Sequence, residues 1–294
     1  MKINIERNIR VNPNQMEEIE GISTEYPYTL HKVNLTNTTI PWHWHEEFEF
    51  GYVVEGKKLV STTSQTYEFY EGEAFFTNSN VLCMMKNVGN CQIESHLFHP
   101  TFLAGHFRSI FETKYINPVL QNKKIELIEI RGNTPAQQKI LAKLRQVSAL
   151  QDQKNSEFQT RNIFSEIWLL LLEEISNMPD VQGPVSSISK ERLLSMMSFI
   201  HQHYADKISL EEIASSAMIS TREALRCFQT NIHETPFEYL MGYRIETSIK
   251  LFKSTKLSIT EISLQTVFSN SAYFSKIFKR ECNMTPLEYR KQFL

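Results

Sequence analysis

The feature that most constrains this chain is a repeat in its last third. Ser209-Leu-Glu-Glu212-Ile213-Ala214 returns 49 residues later as Ser258-Ile-Thr-Glu261-Ile262-Ser263. Arg226-Cys-Phe228 returns as Lys276-Ile-Phe278, and Thr235-Pro236-Phe-Glu238-Tyr239 as Thr285-Pro286-Leu-Glu288-Tyr289, each after 50 residues. Two copies are too few for a solenoid, which closes its core only by stacking several units. The segment therefore reads as a small module made twice. Its helix starts are marked by Ser209/Glu212, Ser220/Glu223, Thr235/Glu238, Ser258/Glu261 and Thr285/Glu288, pairs at the spacing where each side chain satisfies a backbone donor of the other. Pro236 and Pro286 fall at first helical positions, where a missing N–H costs nothing. Between Glu212 and Ser220 there is room for one short helix and a tight turn before a second helix opens. That is a helix-turn-helix, and Ser258 to Arg280 makes another. Pro236 to Lys253 forms a long connector whose Phe237, Leu240, Ile245, Ile249 and Phe252 are expected to pack on both.

The rest of the chain has a different texture. Residues 28–130 hold short runs rich in β-branched and aromatic residues, and Gly56-Lys57-Lys58 and Glu71-Gly72-Glu73 read as turns between strands of a sandwich or barrel. Ile140, Leu141, Leu144 and Val147, then Phe164, Ile167, Trp168, Leu171, Leu172 and Ile175, recur at helical spacing and mark two amphipathic helices. Two prolines and a glycine after Asn177 end the second helix in a linker. The fold class is α+β multidomain, with expected boundaries at 1–133 (β domain), 134–177 (helical pair), 178–189 (linker) and 190–294 (all-α domain). The 294 residues suit two cores better than one.

Charge and cysteine usage add weaker constraints. From Lys190 onward there are 14 Lys/Arg against 11 Asp/Glu, and before it 17 against 22, so only the helical part leans toward a polyanionic partner. Cys83, Cys91, Cys227 and Cys282 show no metal or disulfide spacing and read as reduced core residues. Met1 to Arg10 has no apolar signal-type run, and the longest apolar stretch, Ile167 to Leu172, is too short to span a bilayer. The expectation is a cytoplasmic protein without a membrane partner.

Residues from about Leu193 to Phe293 resemble the DNA-binding domain of the AraC/XylS family of transcription regulators. The likeness rests on Ile213-Ala214, Arg226-x-Phe228, Thr235-Pro236-x-x-Tyr239, Arg244-Ile245, Ser258-Ile259-x-Glu261-Ile262, Phe268 through Arg280, and Thr285-Pro286-x-x-Tyr289-Arg290. It implies double-stranded promoter DNA as partner, with the second helix of each unit in successive major grooves about 34 Å apart. Base edges are then expected to meet Thr221, Arg222, Leu225 and Arg226 in one unit, and Ser271, Ala272, Tyr273 and Lys276 in the other. Arg222 and Arg226 share a face at i, i+4, and arginine suits a guanine edge. Ser220, Ser269, Lys279 and Arg280 are expected on phosphates, which set register. Phe228, Phe274, Ile277 and Phe278 are core by spacing. RNA polymerase is a further partner that the resemblance admits. Three usual glycines are replaced, by Val267, His233 and Asn283. A β-branched residue at Val267, if φ is positive there, carries about 1–2 kcal/mol of strain.

Pro41-Trp-His43-Trp-His45-Glu-Glu-Phe-Glu49, followed by Gly56, resembles the first motif of the cupin barrel; in the second, the closing His is absent and Leu82 or Cys83 stands near its place. On one strand His43, His45, Glu47 and Glu49 would share a face, with Trp44, Phe48, Phe50 and Tyr52 on the other and Trp42 free to stack on a ligand. Three roles stay open. Trp42, His43, His45, Glu47 and Glu49 could bind a small organic effector; His43, His45 and Glu49 could hold a divalent metal; or the set is structural. The resemblance implies a cupin-like effector domain and a homodimer through the helical pair, which could instead simply cover the barrel. The competing readings are a metal-dependent cupin enzyme with an accessory DNA module and a constitutive regulator that binds no effector. No cofactor is assigned.

Overall fold

The computed structural model describes residues 15–36, 39–178, 187–232, 234–268, 270–282 and 284–291. The chain divides into two compact units, one spanning Met16–Val185 and the other Ser186–Leu294.

Seven strands build the first unit: β1 (Tyr28–Thr36), β2 (Thr39–His43), β3 (Phe48–Thr62), β4 (Thr66–Tyr70), β5 (Ala74–Thr77), β6 (Cys83–Phe98) and β7 (Leu127–Ile130). Their pairing is antiparallel in the order β1-β6-β3-β5-β7, with β2 on β6 and β4 on β3. The long strands β3 and β6 carry the curvature. Their register slips between Val53 and Lys57, where Gly56 takes φ +84 and a Cβ would sit 2.1 Å from the Asn90 carbonyl oxygen. Gly56-Lys57-Lys58 is thus a bulge inside β3 and not the turn expected from its composition; extra residues in one strand bend and twist the pair. Glu71-Gly72-Glu73 does make the β4–β5 turn, with Gly72 at φ +84.

Alternation along the strands creates two apolar layers. Phe48, Phe50, Tyr52, Phe76 and Phe98 face helices α3 (Pro135–Leu150) and α4 (Glu157–Asn177), packing with Ile140, Leu144, Phe164, Ile167 and Trp168. Val33, Val53, Val60, Phe69, Phe75, Met85 and Ile93 fill the other side. Trp44 joins neither, being only half-buried. Between β6 and β7 the chain makes α1 (Thr101–Ala104), a π-helical turn (Glu112–Ile116) and α2 (Asn117–Leu120), a helical interruption that the strand-like composition concealed. Both long helices pack on the sheet, and Trp168 of α4 donates from Nε1 to the Tyr115 carbonyl of the π-helical turn at 3.0 Å.

The second unit holds α5 (Ser187–His203), α6 (Leu210–Ser216), α7 (Thr221–Ile232), α8 (Pro236–Ser254), α9 (Ile259–Gln265), α10 (Ser271–Cys282) and α11 (Pro286–Arg290). Helix α5 opens inside the stretch expected as linker; residues 179–186 of that stretch lie outside the described ones, as do His233 and Asn283. Capping boxes close at Ser209, Thr235, Ser258 and Thr285, and Ser220 and Glu223 exchange the same bonds. Helix α8 serves both halves. Near its start Tyr239 rests on Phe228, and near its end Phe252 packs with Phe274 and Phe278. Leu240, Ile245 and Phe252 are buried as expected, but Phe237, on the outer side of the first turn, is 42% exposed.

The turns of the two helix pairs are built alike. Ile219 N–H reaches the Ala214 carbonyl and Met218 N–H that of Ser215; Phe268 and Val267 reach Ser263 and Leu264 in the same way. These are the paired bonds of a Schellman motif, which needs a left-handed residue after the helix. Met218 supplies φ +54 and Val267 φ +56. Buried Arg244, in the middle of α8, donates from Nε to the Tyr204 carbonyl (2.9 Å), from Nη2 to that of Asp206 (2.7 Å) and from Nη1 to that of Val267 (3.4 Å).

Candidate nucleic-acid interface and buried histidine pocket

Each helix pair buries one side of its second helix and leaves the other to solvent. Ala224, Cys227, Phe228 and Ile232 of α7 are buried, as are Phe274, Ile277 and Phe278 of α10. The opposite faces carry Arg222, Leu225 and Arg226, with Thr221 half-exposed, and Ser271, Ala272, Tyr273, Lys276, Lys279 and Arg280. Leu225 is 40% exposed and Tyr273 42%, an apolar side chain among cations on both faces. Arg222, Arg226, Lys276 and Lys279 make no ion pair among the described residues, whereas Arg280 is held by Glu281 at 2.7 Å. The Ser220 hydroxyl donates to Glu223 at 2.8 Å and accepts the Glu223 N–H at 3.3 Å, so as a helix cap it has little capacity left for the phosphate contact expected of it. Ser269 lies outside the described residues.

In the first unit the histidine run is not one strand. Strand β2 stops at His43 and β3 begins at Phe48; between them Trp44 bridges Met16, and the Glu17 N–H donates to the Trp44 carbonyl at 2.8 Å. The common face expected from parity therefore breaks at its centre. Trp42 is buried within β2 and does not line the pocket, and Glu47 sits at its outside, its Oε2 3.8 Å from His45 Nδ1. His43, His45 and Glu49 do converge, joined by Glu17, Lys58 and Ser95 among the lining residues. Sequence reasoning missed these three. Glu17 belongs to a Glu-rich run that reads as solvated, and Lys58 to the misread turn; in the fold Lys58 is buried and donates to Asn87 Oδ1 at 2.8 Å.

The geometry of the two imidazoles is similar. His43 Nδ1 lies 2.7 Å from the Pro41 carbonyl and His45 Nδ1 3.0 Å from that of Glu47. A carbonyl only accepts, so Nδ1 is the protonated nitrogen in both rings. Nε2 then faces inward: that of His43 lies 3.4 Å from Glu17 Oε2 and 3.7 Å from Cys83 Sγ, and that of His45 3.7 Å from Glu49 Oε2. All five residues are buried. Burial lowers the pKa of His43 against the pull of Glu17. For His45, burial works the same way, but Glu49 outweighs it and raises the pKa; Glu49 itself, against the penalty of burial, is held at about 2 by His45. The free volume at this cluster is only about 10 Å³, room for one water-sized body.

Strand β6 links the pocket to the helices. Ser95 lines the pocket, while the next residue, His96, points the other way, with Nδ1 2.9 Å from Tyr28 Oη and Nε2 3.0 Å from Ser148 Oγ on α3. Burial holds His96 neutral, its pKa pushed down to about 3. Of the cysteines, Cys83, Cys91 and Cys227 are buried, but Cys282 is only half-buried. No helix among the described residues is long and apolar enough to cross a membrane.

Residues 26–167 match the AraC-like ligand binding domain, and residues 213–292 match a helix-turn-helix domain. Similar curated proteins include the uncharacterized HTH-type transcriptional regulator YdeC of Bacillus subtilis, 29% identical over 97% of this chain and 99% of that protein. The HTH-type transcriptional activator RhaS of Escherichia coli is 24% identical over 87% of this chain and 90% of its own length. Among solved structures, ToxT of Vibrio cholerae aligns over 91% of this chain and 98% of its own, with a TM-score of 0.46 and 14% identity.

Proposed function

This chain belongs to the AraC family of transcription regulators, and on that premise we propose that it reads a promoter with the outward faces of α7 and α10. A ligand-binding domain followed by a helix-turn-helix domain makes it an effector-responsive DNA-binding regulator. The observation that carries the residue-level reading is that a helix pair occurs twice with the same turn and the same division into a buried and a cationic side. In the proposed complex Arg222 and Arg226 read one groove and Tyr273 and Lys276 the next, with Thr221, Leu225, Ser271 and Ala272 against base edges and Lys279 on phosphate. Footprinting of the full chain on its own promoter region tests this. Arg222→Ala with Arg226→Ala should lower specific affinity by about tenfold or more and erase protection over one half-site, and Tyr273→Ala with Lys276→Ala over the other. Footprints unchanged in both variants would overturn the assignment.

A homodimer through α4 is supported by Phe158 and Leu169, exposed at 75% and 57% on a helix whose opposite side covers the sheet. Doubling the contacts in this way would raise avidity on paired sites. A cytoplasmic location, and contact with RNA polymerase, follow from the same reading. Effector occupancy would be sensed at the His43–His45 pocket and passed by the Ser95–His96 step of β6 to α3. The enzyme alternative has less support, because the similar proteins are named as regulators.

A further inference from the structure

We propose that the second unit carries a site for a small organic phosphate, a phosphate monoester on a short carbon body, in the cleft between α5 and α7. This site is separate from the histidine pocket of the first unit. The cleft is a cavity of about 240 Å³, whereas one water occupies about 30 Å³. Ser189 and Arg192 line it from α5, and Glu223, Arg226, Cys227 and Thr230 from α7. On each helix these residues follow one another at steps of three or four, apart from the neighbours Arg226 and Cys227, so each wall is one helical face.

The two walls are fixed to one another. Cys227 donates from Sγ to the Ser189 carbonyl at 3.3 Å, and Asn231 donates from Nδ2 to Ser189 Oγ at 2.9 Å and to the Cys227 carbonyl at 2.6 Å. These bonds hold the first turn of α5 against the middle of α7. Leu193 on α5 and Ala224 and Phe228 on α7, the neighbours of the lining residues, are buried, so the core keeps the cleft in shape.

What the walls present is positive. Neither Arg192 nor Arg226 has a hydrogen bond or an ion pair among the described residues. Glu223 is the carboxylate of the lining, but its Oε2 is taken by Ser220, accepting the N–H at 3.1 Å and the hydroxyl at 2.8 Å. That bonding, with a smaller pull from the two arginines, holds its pKa below the usual carboxylate range. Ser189 lies in the first turn of α5, where N–H groups without intrahelical acceptors add about half a positive charge. Two guanidiniums, this helix end and one carboxylate come to about +1.5, close to the opposite of a monoester's charge of about −1.5 to −2 at neutral pH.

Two guanidinium forks select the kind of anion. A carboxylate has two oxygens, and one fork occupies both; a phosphate monoester has three terminal oxygens and accepts from two forks. Thr230 adds a hydroxyl at the exposed end, and Ile219 an apolar wall for a short carbon body. Arg226 also stands on the outward face of α7. A guanidinium folded onto the anion is withdrawn from a base edge, so the ester and the promoter exclude one another, each weakening the other by the same factor. This exclusion rests on the reading of α7 proposed above; binding of the anion does not.

The test titrates full-length, DNA-free protein with glycerol 3-phosphate by calorimetry, with glycerol and with sodium acetate at matched ionic strength as controls. One equivalent of the ester should bind with a Kd of about 1 mM or tighter, and neither control should bind. Arg192→Gln removes one fork, and Thr230→Glu sets a carboxylate at the mouth. Each should weaken the ester roughly tenfold or more, with a melting temperature near wild type to show that the fold is kept. At about ten times Kd the ester should lower affinity for promoter DNA about tenfold in the wild type, and not in Arg192→Gln. A wild-type protein that takes up no ester at about 20 mM would overturn the proposal, as would equal binding of acetate or undiminished binding by both variants. Ester binding that leaves promoter affinity unchanged would overturn the exclusion. Promoter affinity that falls in Arg192→Gln, with no ester bound by the wild type, would make the cleft a seat for backbone phosphate and overturn the small-molecule source. Footprints unchanged by Arg222→Ala with Arg226→Ala, alongside ester binding in the wild type, would count against the DNA reading alone.

Discussion

Replacing Val267 by glycine should stabilise the second unit. Val267 holds φ +56, a region in which Cβ crowds the following carbonyl and where a β-branched residue is least at home. Relief of that crowding is about 1–2 kcal/mol. Against it stands the greater freedom of glycine in the unfolded chain, about 0.5–1 kcal/mol, and the packing of a half-buried side chain. With that packing loss subtracted, the net gain is at most about 1 kcal/mol, which for a domain near a hundred residues is at most roughly 4–8 °C in melting temperature. Calorimetry of the full chain, following the transition of the helical unit, measures it. Met218→Gly is the matched control: φ is +54 and the side chain is 92% exposed, so no packing is lost, but an unbranched residue is less strained and its gain should be no larger. A Val267→Gly protein that melts at or below the wild-type temperature would refute the reasoning, because it would mean that the left-handed turn carries no penalty or that valine's packing outweighs it.

Three further outcomes are expected. Arg244→Met should destabilise the helical unit by about 2–4 kcal/mol, because three carbonyls lose a buried donor; a denaturant midpoint within error of wild type would contradict this. Burial pushes Glu246 up to about 7, so the folded state holds a proton that the unfolded state gives up near pH 4.5. Stability from this group is present at low pH and falls as pH rises toward 7; Glu246→Gln should gain on the order of 1 kcal/mol at pH 8 and nothing at pH 4.5, and a pH-independent melting difference would be inconsistent with that. Gly56→Ala should destabilise the first unit by about 3 kcal/mol or more, since positive φ and the Asn90 carbonyl both exclude Cβ; a soluble variant melting like wild type would show that the bulge can be rebuilt.

What the sequence made legible was local. Capping pairs lie three residues apart, and the duplicated module repeats them, so helix starts and the helix-turn-helix units could be read directly. Val267 stood out because the family that the chain resembles usually has glycine there, and the fold puts it in the left-handed region. The pocket was half legible. His43, His45 and Glu49 are close in sequence, but the parity argument assumed an unbroken strand, whereas Trp44 to Glu47 leave the β2–β3 path. Glu17 reaches the cluster only through a long-range pairing with Trp44, and nothing in Met16-Glu17-Glu18 distinguishes a buried carboxylate from a solvated one. Lys58 misled for the opposite reason: glycine beside two lysines has the composition of a turn, while its backbone performs a bulge.

The three bonds of Arg244 reach from the end of α5 to the turn between α9 and α10, so one side chain spans the boundary between the two halves of the helical unit. Halves bolted together in this way act as a fixed caliper rather than as beads on a string. An operator with one base pair inserted between its half-sites would turn the second groove by about 34° relative to the first. A jointed reader could swivel to follow; this one would have to bend the DNA or release a half-site. Promoters served by it should therefore tolerate altered letters far better than altered lengths.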